Sequence, residues 1–190
     1  IDAQVFDIWM DILNKVENSI LWLLSSNELV EKNLQKQAEK RGIKKDRLYF
    51  AKRVDKKEHL ARHANADLFL DCFNVNAHTT AIDSLWAGLP VLTMQGDTII
   101  SRASSSILSA IGLEELITNS KQDYKKLAIE YANNSDKLNK LKDTLTKNIR
   151  KKPLFDTQAY VDNFELALKH AWETYLSGKG LKNIDVSKLA

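Results

Sequence analysis

The sequence predicts an α/β fold: a parallel sheet with helices on both faces, followed by a helical C-terminal segment. Three observations carry this reading. Five short apolar runs recur along the 190 residues, each of a length suited to a strand buried on both faces. Between the runs, apolar residues return three or four positions apart, the spacing of a helix. The joins are short, which favours right-handed crossovers between neighbouring parallel strands.

Each element has its own signal. Val5, Trp9, Ile12, Leu13 and Val16 share one face of a first helix, and residues 19–24 read as the first strand. Residues 28–41 are helical, with Val30, Leu34 and Ala38 inward and Gly42 suited to the left-handed turn that ends a helix. Leu48, Tyr49 and Phe50 form the second strand. Asp55, with Glu58 three residues on, reads as a variant capping box that opens a short helix toward Ala64. Leu68, Phe69 and Leu70 form the third strand, residues 79–87 a helix closed by Gly88, and residues 90–93 the fourth strand. Residues 101–111 are helical up to Gly112, and residues 115–117 make a weaker fifth strand.

From Ser120 onward nearly everything reads as helix. Ser120 and Asp123 suggest a cap, and Leu138, Leu141, Leu145 and Ile149 form a stripe that Pro153 ends. Asp156 caps a last long helix with Tyr160, Phe164, Leu168, Trp172 and Tyr175 on one side. The polar tail beyond Gly178 is expected to fray. Core packing is the expectation for all four tryptophans, Trp9, Trp22, Trp86 and Trp172. The chain thus divides into a sheet domain over 1–152, a long helix over 153–178 packing on or beyond it, and a tail over 179–190.

Composition narrows the function classes. With 44% hydrophobic and 28% charged residues, this is the balance of a soluble globular domain. One cysteine, Cys72, excludes an internal disulfide and a cysteine zinc cluster, and fits a reducing, cytoplasmic setting. No apolar run approaches the roughly 20 residues of a membrane-spanning helix. The chain begins at Ile1, without Met, and directly in helical sequence, as a piece of a longer protein would. Net charge is +3, but between Glu31 and Arg62 twelve Lys and Arg face five Asp and Glu, a local excess of +7. That segment suits an acidic or phosphorylated partner. Aromatics do not interleave with its cations as stacking on bases requires, so no nucleic acid is expected.

In a parallel α/β sheet, ligands lie outside the carboxyl ends of the strands. The loop after the third strand carries Asn76, Ala77, His78, Thr79 and Thr80, and its helix then carries Asp83. Free amides at a helix start beside two hydroxyls and an imidazole suit a phosphate or diphosphate. Asp83 lies one turn deeper, where a carboxylate can accept from a ribose diol. The bland alternative, a Thr-capped helix with a solvent-facing Asp, stays open on spacing alone. After the second strand, Lys56, His59 and Arg62 fall at i, i+3 and i+6 on one face, as cationic donors or as a solvated helix. After the fourth strand, Gly96 allows a close approach and Arg102 sits in a first helical turn, against the dipole, which points to an acidic partner. The glycine-rich fingerprints of the common dinucleotide and nucleoside-triphosphate sites are absent. His63 and His170 read as surface or packing histidines with no second metal ligand placed beside them, so no metal is expected.

Taken together, these stretches resemble one family. Residues 19–24, Lys56-x-x-His59-x-x-Arg62, Leu70-Asp71, Ala77-His78-Thr79-Thr80, Asp83-x-Leu85-Trp86-Ala87-Gly88-x-Pro90, Thr93-Met94-x-Gly96, Ser101-Arg102 and residues 153–157 are similar to the O-linked N-acetylglucosamine transferases. The resemblance runs from Ile1 to about Ser177. It implies the C-terminal half of a GT-B enzyme, a Rossmann-like domain that binds UDP, with N-acetylglucosamine passing from UDP-N-acetylglucosamine to Ser or Thr hydroxyls of proteins with inversion. By resemblance, His78, Thr79 and Thr80 contact the diphosphate, and Asp83 with Lys56 holds the ribose. His59, Arg62 and the backbone near Val54 meet the uracil, and Gly96 and Arg102 stand next to that set. No metal or other cofactor is implied, and no catalytic residue is assigned. The family's phosphate-binding lysine matches a position just before Ile1, and its catalytic N-terminal half and acceptor-binding helical repeats lie outside these residues. Residues 52–55 replace a more apolar, proline-containing run of the family. Two other readings stand beside this one: a non-catalytic nucleotide-sugar-binding or interaction module, and a GT-B enzyme with another acceptor.

Overall fold

The computed structural model describes residues 1–180 and 182–189. Asp2 accepts from the Val5 amide at 3.0 Å and so opens α1 (Ala3–Lys15), whose Val5, Trp9 and Met10 are buried. The same device, a side-chain oxygen taking an otherwise free amide, starts α2 (Glu28–Glu39) at Asn27 and α3 (Lys56–Arg62) at Asp55. It also starts α6 (Lys121–Asn133) at Ser120, α7 (Ser135–Ile149) at Asn134 and α8 (Thr157–Leu176) at Asp156. Two more helices, α4 (Thr79–Trp86) and α5 (Ala103–Ile111), begin otherwise.

All five strands are parallel where they pair. β1 (Leu21–Leu24) runs beside β2 (Leu48–Ala51), with Leu21 opposite Leu48. β4 (Val91–Met94) lies between β3 (Phe69–Leu70) and β5 (Ile117–Thr118). The expected single sheet is thus two hydrogen-bonded parts, β1–β2 and β3–β4–β5. The third strand is two residues long, and its short ladder is taken by β4.

Val91, Leu92 and Thr93 are all fully buried. Successive side chains of a strand point to opposite faces, so β4 is covered on both. α1 packs on α6, while α4, α5 and α7 pack on one another. The core continues through Leu85, Leu108, Leu116, Tyr124 and Leu145, each fully buried.

Three expectations change. The helical stretch between Ser120 and Pro153 is two helices, because Asn134 leaves helical geometry and its side chain caps Lys137. The helix expected from Ser101 is preceded by a 3-10 turn, Ile99–Ser101, in which Thr98 and Ser101 cap each other, and α5 begins only at Ala103. Trp86 and Trp172 are 56% and 60% exposed rather than core residues. Trp86 lies at the end of α4, its ring edge-on to Phe155 at 5.1 Å. Trp172 belongs to α8, which has no buried residue, and stacks on Tyr175. The aromatic stripe of α8 therefore faces outward. Trp9 is buried, and Trp22 is half-buried. The tail holds a short turn at Val186–Lys188. Among the described residues, no helix is long and apolar enough to cross a membrane.

Leu92→Ala should cost about 2–5 kcal/mol, the cavity cost of a fully buried leucine. Leu168→Ala on the exposed stripe should change stability by no more than about 0.5 kcal/mol. Urea unfolding midpoints of the two variants check this directly.

Candidate functional site

The loops that leave β3 and β4 at their carboxyl ends feed α4 and α5, and both helices lack a side-chain cap. In α4, Ala81 and Ile82 already donate to the His78 carbonyl, at 3.1 and 3.2 Å. The Thr79 and Thr80 amides remain as donors pointing out of the helix start. His78, Thr79 and Thr80 are all exposed, and the first turn of α4 carries no acidic residue. The dipole and free amides together suit an anion.

A cleft of about 790 Å³ opens between the starts of α4 and α5. His78 and Thr79 line it from one side, Arg102, Ser105 and Ser106 from the other, with Gln95 between. Arg102 occupies the N-cap position of α5, is exposed, and has no ion-pair partner among the described residues.

Helix α3 stands beside α4. Lys56 pairs with Asp83 one turn into α4, so the two residues expected at a ribose are brought together. Arg62 donates to the Lys52 carbonyl at 2.8 Å, bonds His59 Nδ1 at 2.9 Å, and lies 5.6 Å from the centre of the Trp22 ring. These contacts hold Arg62 against β1 and fix the loop after β2, where Val54 is half-buried. The His59 carbonyl receives His63 Nδ1 at 2.6 Å, and the two imidazoles meet edge to face. Burial, then the neighbouring His63 and Arg62, hold the His59 imidazole below its ordinary value of 6.5; Asp83 opposes this and Lys56 adds to it. The lowered value favours the uncharged ring, whose Nδ1 accepts from Arg62 and whose Nε2–H is left as a donor.

The close approach that Gly96 permits is to the Ser101 turn. Gly96 N–H donates to the Ser101 carbonyl at 2.8 Å, and a Cβ on Gly96 would lie 2.8 Å from Ser101 Cβ. Among the described residues no three His, Cys, Asp or Glu side chains gather as metal ligands. One buried group escaped the residue-by-residue reading: Asp71, at the end of β3, is 1% exposed and charged in type. Its signals in the sequence are its place after an apolar strand and the Leu70-Asp71 pair within the family resemblance.

A parallel α/β sheet with open helix starts above its strand ends defines a Rossmann-like domain whose rim carries uncapped helix amides and an exposed arginine. The chain belongs to glycosyl transferase family 41, whose family model matches residues 1–164. It is 34% identical over 184 residues to the UDP-N-acetylglucosamine–peptide N-acetylglucosaminyltransferase of Caenorhabditis elegans, covering 97% of this chain and 16% of that protein. It is 35% identical over 179 residues to the probable enzyme of that name, SEC, from Arabidopsis thaliana, covering 94% of this chain and 18% of that protein. Its structure is similar to that of an O-GlcNAc transferase mutant from Thermobaculum terrenum, with a TM-score of 0.80 and 26% identity over 87% of this chain and 33% of that one. The chain thus spans less than a fifth of the length of these two curated relatives.

The His59 resonance should titrate with a midpoint below 6.5, and His63→Ala should move that midpoint upward, read by heteronuclear NMR. A native value below the unfolded one means the native state binds fewer protons, so His59 costs stability as pH falls through 6.5. Gly96→Ala should lower stability by about 1–3 kcal/mol through overpacking against Ser101, measured as a shift in thermal midpoint.

Proposed function

We propose that this chain is the donor-binding part of a glycosyltransferase that moves N-acetylglucosamine from UDP-N-acetylglucosamine to Ser or Thr hydroxyls of proteins, with inversion. The observation that carries the reading is the uncapped start of α4, with His78, Thr79 and Thr80 exposed above the strand ends and the Lys56–Asp83 pair beside it. The Thr79 and Thr80 amides and hydroxyls, with His78, take the diphosphate. Asp83, oriented by Lys56, accepts from the ribose hydroxyls. Neutral His59, Arg62 and the backbone near Val54 face the uracil, and Arg102 adds positive charge across the cleft.

The chemistry of the reaction explains why such a site is useful. An acceptor hydroxyl attacks C1 of the sugar from the face opposite the diphosphate. The C1–O bond breaks, and its electron pair leaves with UDP. The hydroxyl proton goes to a base that none of the residues assigned here supplies. Negative charge grows on the leaving diphosphate in the transition state, where fixed amides at a helix start stabilise it without reorganising. Hydroxyls and cations already face that charge, so the donor is read as bound without a metal. The same reading places the nucleotide-sugar domain at 1–152, the helix at 153–178 and the tail at 179–190. Protein acceptors are bound by other parts of the enzyme, which works in the cytoplasm.

Calorimetric titration tests the site. UDP and UDP-N-acetylglucosamine should bind, and GDP and ADP should bind more weakly. Thr79→Ala combined with Thr80→Ala should weaken UDP about tenfold or more, the loss of charge-assisted hydrogen bonds. No UDP binding at millimolar concentration would sink the assignment.

A further inference from the structure

The loop between β3 and α4 is closed by a buried carboxylate. Asp71 Oδ1 accepts from two backbone amides at once, Cys72 at 2.8 Å and Ala77 at 2.7 Å. One oxygen thereby draws the two ends of the 72–77 loop together. The other oxygen, Oδ2, accepts from the Thr93 hydroxyl on β4 at 2.7 Å, which orients the carboxylate. The Asp71 carbonyl receives the Tyr124 hydroxyl of α6 at 3.0 Å, and Thr118 on β5 donates to the Thr93 carbonyl at 2.9 Å. Asp71 is thus tied to two elements besides its own strand, β4 and α6, and Thr118 extends the network to β5.

The loop itself is pinned from the other side. Ser104 of α5 donates to the Ala77 carbonyl at 2.8 Å, so Ala77 is held at both its N–H and its C=O. Asn76 donates its amide to the Ile100 carbonyl and its side chain to the Cys72 carbonyl. The next residue is His78, which begins α4. A carboxylate repels a diphosphate, so whatever Asp71 contributes to anion binding has to be geometric. Its burial, which pushes the carboxyl up from its ordinary value, is sustained by the donors that face it.

We propose that Asp71 is the positioning residue of the anion cradle: its carboxylate clasps the Cys72 and Ala77 amides and so holds His78, Thr79 and Thr80 in register for a nucleoside diphosphate. The proposal rests on the α4 site assigned above, but it has a ligand-free consequence. Removing the clasp frees the loop while leaving the sheet intact.

The test compares Asp71→Ala, Asp71→Asn and Tyr124→Phe, each checked for a cooperative thermal transition. Asp71→Asn keeps an acceptor for the amides and a donor for Thr93, and should bind UDP within about threefold of wild type. Tyr124→Phe breaks the tether to the Asp71 carbonyl without touching the clasp. It should lower the thermal midpoint and leave UDP affinity unchanged. Asp71→Ala should weaken UDP about tenfold or more among folded molecules. Without ligand, its amide order parameters over 72–80 should fall from about 0.85 to below about 0.6. Should Asp71→Ala not fold, Ser104→Ala loosens the same loop at the Ala77 carbonyl and should shift both readouts in the same direction. The proposal is overturned if the loop stays rigid in the folded variants, or if Asp71→Ala and Tyr124→Phe lose affinity equally. Failure of wild type to bind UDP would overturn the site assignment, while the order parameters would still decide the clasp.

Discussion

The first amides of α4 have no hydrogen-bond partner among the described residues, and much of the molecule is arranged around that fact. Backbone donors at a helix start are normally satisfied, and six helices here satisfy theirs with Asp, Asn or Ser side chains. At α4 the residue in the capping position is His78, which makes no such bond. Leaving those donors open at a surface costs little while water solvates them. The same donors become valuable when a ligand brings negative charge. α5 repeats the arrangement with Arg102 at its start, so the cleft between the two helices gathers positive potential from backbone and side chain together.

Holding an open helix start still needs rigidity from elsewhere. The residues beneath it are polar but fully engaged: Asp71, Thr93, Thr118 and Tyr124 form one buried network across three strands and α6. Buried polar groups with partners fix a geometry more sharply than apolar packing does, because each bond has a direction. The apolar core around β4 supplies the stability, to which the Tyr124 and Thr118 bonds add, and the bonds of the Asp71 carboxylate supply the orientation.

The basic segment from Glu31 to Arg62 divides by role once its neighbours are seen. Arg41 pairs with Asp7, and Arg47 donates to the Val16 and Ser19 carbonyls, so both staple α1 and its following loop to the rest. Arg62 lies over Trp22 and holds the loop after β2. Lys56 reaches across to α4. Lys52, Arg53 and Lys57 remain exposed around the rim. Local charge excess was legible from composition; which cations serve the fold and which face the rim was not, because pairing partners come from distant positions.

Local order was well marked in the residues. Asp55, Ser120 and Asp156 announced helix starts, apolar runs announced the strands, and His78-Thr79-Thr80 stood where a helix begins above a sheet. These depend on neighbours within a few positions, so sequence by itself determined them. The tertiary structure alone decided the rest. It split the sheet in two, turned Trp86 and the α8 stripe outward, directed Gly96 toward Ser101, and made Asp71 a clasp instead of one more acidic residue after a strand. The Gly96–Ser101 and Asp71–Ala77 contacts span only a few residues, but the sheet pairing and the bonds that fix the Asp71 carboxylate join residues far apart in the chain. Asp71 meets Thr93 and Tyr124 only because parallel strands bring their carboxyl ends to one edge. No pattern confined to one segment carries that information.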